Sequence, residues 1–172
     1  MRSTLLRMFA FLLIAPLSGC APASGGGSGT VAIGSRAPAF SLKSLDGTIV
    51  TSRSLEGSIV VLNFWATWCA PCMKEIPDLK QVAAGYGVKV VGIALDEDGV
   101  KAVKPSVERL GISETENYTV LLGDQELFQR FNGLGIPYTL VLDRSQQIVK
   151  IYRGPATKES LEQDLRMINQ GA

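Results

Sequence analysis

The sequence predicts an α/β protein, a central mixed β-sheet flanked by helices. Three observations carry that prediction. Ser58–Phe64 is a nearly continuous apolar run of strand length that leads straight into a helical stretch, as a strand buried on both faces does. Val88–Leu95 is a second such run beyond that helix, giving a strand–helix–strand unit with parallel strands and a right-handed crossover. Tyr138–Leu142 and Ile148–Arg153 then flank the turn-forming Asp143–Gln147, an antiparallel hairpin followed by a last helix.

The elements follow in chain order. Arg2 and Arg7 precede an apolar run, Met8–Leu17, of about ten residues, short of the roughly twenty that a membrane span needs. This reads as an export signal. The run ends in Leu17-Ser18-Gly19-Cys20, which resembles a bacterial lipobox. The resemblance implies that residues 1–19 are a lipoprotein signal peptide, with Cys20 the lipidated first residue of the mature chain. An ordinary signal, or a short anchor with an incidental cysteine, is the bland alternative. Ala21–Thr30 is rich in Ala, Ser and Gly and carries no charge, which makes residues 20–30 a flexible tether with a reach of roughly 17 Å. The folded domain is expected over 31–172.

Within it, Phe40-Ser41-Leu42 and Ile49-Val50-Thr51 flank Asp46-Gly47, a strong hairpin-turn signal. The helix after the first central strand is expected over Pro71–Ala84, kinked at Pro77. A second helix spans Asp98–Leu110, interrupted by Pro105; a short strand, Tyr118–Leu122, and a short helix, Gln125–Phe131, follow. In the last helix, Lys158–Ile168, Leu161, Leu165 and Ile168 fall on one face.

Composition excludes several functions. Removing Arg2 and Arg7 from the seventeen basic residues leaves fifteen against sixteen acidic ones, so nothing attracts nucleic acid. The chain has no histidine, which removes Ser-His-Asp and Cys-His hydrolases. It also removes a c-type haem site, since Met73 rather than His follows the second cysteine of Cys69-Ala70-Pro71-Cys72. A zinc half-site there lacks two further ligands, so no metal or other cofactor is expected. A one-cysteine peroxidase wants Thr or Ser three residues before its cysteine, and Ala66 stands there. A purely structural disulfide across so short a loop would crosslink little chain.

What survives is thiol–disulfide exchange. At a strand-to-helix junction, Cys69 falls at the helix N-terminus, where free N–H groups and the positive dipole end favour its thiolate. Lowering a thiol pKa from about 8.5 to about 7 corresponds to roughly 2 kcal/mol and brings half of it to the reactive form at neutral pH. Cys69 is then the nucleophile, and Cys72, one turn on, resolves the mixed disulfide. Pro71 suits a first helical turn, where its missing N–H is not needed.

Asn63-Phe64-Trp65-Ala66-Thr67-Trp68-Cys69-Ala70-Pro71-Cys72 resembles the active-site segment of the thioredoxin superfamily, and more closely its TlpA/ResA-type, redoxin-related group of membrane-tethered oxidoreductases. Similar features run from Ala37-Pro38-Ala39-Phe40 to the last helix. The resemblance implies a thioredoxin fold with an N-terminal hairpin and an inserted helix and strand. It implies a cis peptide at Ile136–Pro137 facing the disulfide, with the Ile136 backbone offered to an extended substrate. An ordinary trans proline at a strand start is the alternative. Pro77 matches the group's helix-kink proline, and Glu75 the acidic residue near its cysteines. Asn63 departs from cytoplasmic thioredoxin, whose aspartate there accepts a proton. Asn cannot, so Glu75 is the candidate acceptor for Cys72, a solvated helix glutamate beside Lys74 being the bland reading. Of Trp65 and Trp68, one is expected to pack and the other to shield the disulfide; Trp68 is the substrate-side candidate.

Ala70-Pro71 brings no charge between the cysteines and resembles reducing members of the group. The expected activity is therefore reduction of disulfide-containing protein substrates, with a DsbD/CcdA-type membrane thiol donor as electron source. The resemblance also suggests cytochrome c maturation, at the cell envelope and facing the periplasm or exterior. Ala21 rather than Asp follows Cys20, which in a two-membrane host favours the outer membrane and stands against an inner-membrane donor. The rival functions are a non-catalytic interaction lipoprotein and a thiol peroxidase.

Overall fold

The structure, a computed structural model, describes residues 31–112 and 115–170. The export segment, Cys20 and the tether lie outside them. Seven strands form one mixed sheet: β1 (Ser41–Ser44), β2 (Ile49–Thr51), β3 (Val60–Trp65), β4 (Lys89–Ala94), β5 (Tyr118–Leu122), β6 (Tyr138–Leu142) and β7 (Ile148–Arg153). Their order is β2-β1-β5-β4-β3-β6-β7. β3, β4 and β5 pair in parallel, while β6 runs antiparallel beside β3 and β1 beside β5. Among the described residues, four α-helices, α1 (Ala70–Tyr86), α2 (Val100–Arg109), α3 (Gln125–Arg130) and α4 (Lys158–Gln170), and a short 3-10 helix, Ser52–Leu55, complete the fold.

β3 is central because all six of its residues are buried, which only a strand covered on both faces permits. Its side chains alternate between two cores. Val61 and Trp65 face α1 and α4 with Ile76, Leu79, Leu161 and Leu165. Val60, Leu62 and Phe64 face the other way. There Phe64 lies 5.2 Å from Phe128 and 5.1 Å from Phe131, ring centre to ring centre, in tilted geometry that aromatic pairs favour. Tyr138 joins this cluster and donates its hydroxyl to the Phe131 carbonyl at 3.0 Å.

The strands and helices expected from Phe40 onward are all present, with boundaries moved for local reasons. α1 begins one residue earlier than expected, at Ala70, and runs through the exposed Pro77 to Tyr86, where Gly87 at φ +61° supplies a left-handed end. α2 starts at Val100 instead of Asp98, because Gly99 just before it takes a positive φ of 52° and stands outside helical geometry. Pro105 lies inside α2 without ending it. α4 opens where Thr157 and Ser160 exchange hydrogen bonds of 3.1 and 3.3 Å between backbone N–H and hydroxyl groups. Leu161 and Leu165 are fully buried, and Ile168 packs at the core's margin.

This topology brings three chain segments to one end of the sheet. The β3–α1 turn and the β4–α2 loop leave the carboxyl ends of parallel strands, the usual place for a site in such sheets. The chain entering β6 arrives beside them, because Tyr138 pairs with Phe64.

Candidate active site

Cys69 is the N-cap of α1, with Ala70 and Pro71 opening the first turn. Its Sγ accepts a hydrogen bond from the Cys72 backbone N–H at 3.2 Å. That contact delivers one of the unsatisfied N-terminal donors of the helix directly to the sulfur, the arrangement that favours a thiolate. Cys69 and Cys72 are joined as a disulfide. Both cysteines are buried, Cys69 retaining 4% of its residue surface and Cys72 only 1%.

The turn that carries Cys69 is clamped from the neighbouring strand. Asp96, just beyond β4, accepts the Thr67 backbone N–H on both carboxylate oxygens, at 3.2 and 3.1 Å, and also accepts the Thr67 hydroxyl. Asp96 is itself nearly buried. The two tryptophans divide as their surroundings dictate: Trp65 is fully buried in β3, and Trp68, beside Cys69, stands 72% exposed.

The Ile136–Pro137 peptide is cis. Ile136 lines the same cavity as Thr67 and Trp68, so the segment entering β6 and the cysteine turn face a common space.

Glu75 lies one turn after Cys72 and is 3% exposed, on the buried face of α1 and not in solvent beside Lys74. Its Oε1 accepts from Thr139 Oγ1 at 3.0 Å and from the Ala156 backbone N–H at 3.3 Å. Thr139 Oγ1 in turn accepts from Asn63 Nδ2 at 2.8 Å. Burial pushes the Glu75 carboxyl up to about 7, against the opposing pull of these donors. Four buried atoms find no hydrogen-bond partner among the described protein atoms: Glu75 Oε2, Asn63 Oδ1, Trp65 Nε1 and Tyr118 Oη. All four side chains belong to the α1-facing side of the sheet. Gly92 lets two of them approach β4 closely, since a Cβ there would meet Trp65 Nε1 at 3.0 Å and Tyr118 Oη at 3.4 Å. Burial pushes the Tyr118 hydroxyl up as well, with the Glu75 charge adding to it. A buried carboxyl titrating near neutrality, one helical turn after Cys72, can take up and return a proton near pH 7.

Sequence reasoning missed Thr139, Asp96 and the Ala156 N–H. Thr139 had a signal: it is the single polar residue in Tyr-Thr-Leu-Val-Leu, and strand alternation places it with Asn63's face. Asp96 and Ala156 reach the site through loop geometry that no local pattern encodes.

Known proteins resemble this chain over most of its length. The Redoxin family model matches residues 32–165. The thiol-disulfide oxidoreductase ResA of Geobacillus thermodenitrificans is 32% identical over 142 residues, covering 80% of this chain and 79% of that protein. The thioredoxin-like protein YneN of Bacillus subtilis is 31% identical over 132 residues, covering 77% and 78%. A crystal structure of a thiol:disulfide interchange protein of the thioredoxin family from Chlorobium tepidum superposes with a TM-score of 0.67 at 36% identity, covering 80% of this chain and 97% of that one.

Proposed function

The chain belongs to the Redoxin family, as a TlpA/ResA-type thiol–disulfide oxidoreductase of the thioredoxin superfamily, and we propose that it works outside the cytoplasm, anchored through a lipidated Cys20, as a reductant of protein disulfides. The observation that carries the reading is the Cys69–Cys72 pair at the start of α1, with Glu75 buried behind it.

The reaction starts from the dithiol. The Cys69 thiolate attacks one sulfur of a substrate disulfide, forming a mixed disulfide and expelling the other substrate sulfur as a thiolate. Cys72 loses its proton to Glu75, directly or through water, and attacks Cys69 Sγ. The Cys69–Cys72 disulfide closes and the second substrate thiolate leaves. Two electrons pass from protein to substrate, and two from a DsbD/CcdA-type membrane thiol donor reopen the pair. Trp68 shields the disulfide, and the Ile136 backbone beside Pro137 receives the extended substrate. The substrates proposed for this exchange are the haem-site cysteines of an apocytochrome c.

A redox titration of the full chain decides the direction of electron flow. A potential near the thioredoxin value of about −270 mV supports a reductant; one near about −120 mV, where strong oxidants lie, overturns it. With Cys72→Ser, the Cys69 mixed disulfide should persist, and the proteins captured on it name the substrate.

A further inference from the structure

Among the described residues, the two most exposed large hydrophobic side chains are Leu134, at 92%, and Trp68, at 72%. They sit together. Both line one cavity of about 720 Å³, which they share with Ile136 and with the β4–α2 loop residues Asp96, Glu97 and Asp98. Apolar surface left in water beside a reactive centre marks a place that another molecule covers. Trp68 adjoins Cys69 and Ile136 adjoins Pro137, so a polypeptide presenting a disulfide to Cys69 must cross this surface.

The charges on it are of one sign. Glu97 and Asp98 are exposed, Asp96 adds a carboxylate held against Thr67, and no Lys or Arg lines the cavity. Beyond Pro137 the sign reverses: a second cavity, bounded by the same Leu134–Pro137 stretch, holds Arg153, set over the Tyr138 ring at 5.3 Å. The two flanks of the crossing segment are therefore electrostatically unlike.

Building on the exchange reaction above, we infer that this groove selects extended polypeptide disulfides bearing Lys or Arg beside the reacting cysteine. The cationic side chain lies against Glu97 and Asp98, and a neighbouring apolar one lies on Trp68 and Leu134. Rim charges act mainly on encounter and register, so the preference is a modest factor that salt weakens.

The test uses the full chain, reduced with dithiothreitol and then freed of it, in single turnover against three disulfides. Two are short symmetric peptide disulfides, one with Lys and one with Glu beside the cysteine; the third is neutral bis(2-hydroxyethyl) disulfide. At low salt the Lys peptide should be reduced roughly tenfold faster than the Glu peptide, the ratio shrinking at high salt. Glu97→Gln with Asp98→Asn should cut that ratio severalfold and leave the neutral disulfide's rate unchanged. A ratio that the double substitution does not move overturns the charge assignment, while continued reduction of the neutral disulfide leaves the exchange chemistry standing. Failure to reduce any of the three overturns both. Leu134→Ser should raise the peptide concentration that gives the half-maximal single-turnover rate, for both peptides alike; an unchanged value overturns the apolar half.

Discussion

Thr139 Oγ1 donates to Glu75 Oε1 at 3.0 Å and, with the same oxygen, accepts from Asn63 Nδ2 at 2.8 Å. One hydroxyl on β6 thus ties the candidate proton acceptor on α1 to the residue that stands where cytoplasmic thioredoxin has its own acceptor. Asn63 has no proton to exchange, so in the proposed reaction it holds the network in place while Glu75 takes the proton.

Glu75→Gln keeps an oxygen that accepts from Thr139 and Ala156 but cannot accept a proton. Resolution of the mixed disulfide should slow on the order of a hundredfold, and the inflection near pH 7 should vanish from the pH–rate profile. Unchanged rates and an unchanged profile remove Glu75 from the reaction.

The same substitution bears on stability. The Glu75 carboxyl titrates at about 7 in the folded chain against 4.5 ordinarily, so between those values the folded state keeps a proton that the unfolded state has released. Stability of the oxidised protein therefore falls by about 3 kcal/mol as pH rises through that window and levels off above it. Glu75→Gln has no such slope. Denaturant midpoints compared at pH 4.5 and pH 8 should show the variant gaining on the parent at the higher pH; parallel pH dependences would contradict the assignment.

Thr139→Val preserves shape and deletes the hydroxyl. Glu75 loses a donor that stabilises its charged form, so its carboxyl should titrate higher still, by carbon-detected NMR. The protein should lose about 1–3 kcal/mol, more at pH 8 than at pH 5. A Glu75 titration left near 7 would show that the bond does not matter.

Asp96→Ala strips Thr67 of the acceptor for its backbone N–H and hydroxyl, at a cost of about 1–3 kcal/mol. Asp96→Asn retains one acceptor oxygen and should recover part of the loss. Exchange rates should follow the same order, because the Thr67–Cys69 turn is what the clamp holds. Equal rates in both variants would restrict Asp96 to folding.

Much of this was legible before any coordinates. The strands, the helices and the Cys69–Cys72 junction follow from apolar runs and turn residues, since β3 and β4 must be apolar throughout to lie between two layers. The helix interiors carried more ambiguity. Pro77 and Pro105 each remove one backbone donor, and packing of the surrounding turns outweighs that loss. The state of Glu75 was open between solvent and core. Its position on α1 could not decide the matter, because the partners that bury it, Thr139 and Ala156, lie more than sixty residues away in sequence. The acidic wall opposite Trp68 was likewise invisible, being formed by a loop from another strand.

The account turns on how readily one sulfur ionises. Alkylation of Cys69 by iodoacetamide, followed across pH in the reduced full chain carrying Cys72→Ser, reads this directly. The rate should rise with an inflection near pH 7 or below. An inflection near 8.5, that of an unassisted thiol, or a Cys69 that stays unmodified throughout, would contradict it.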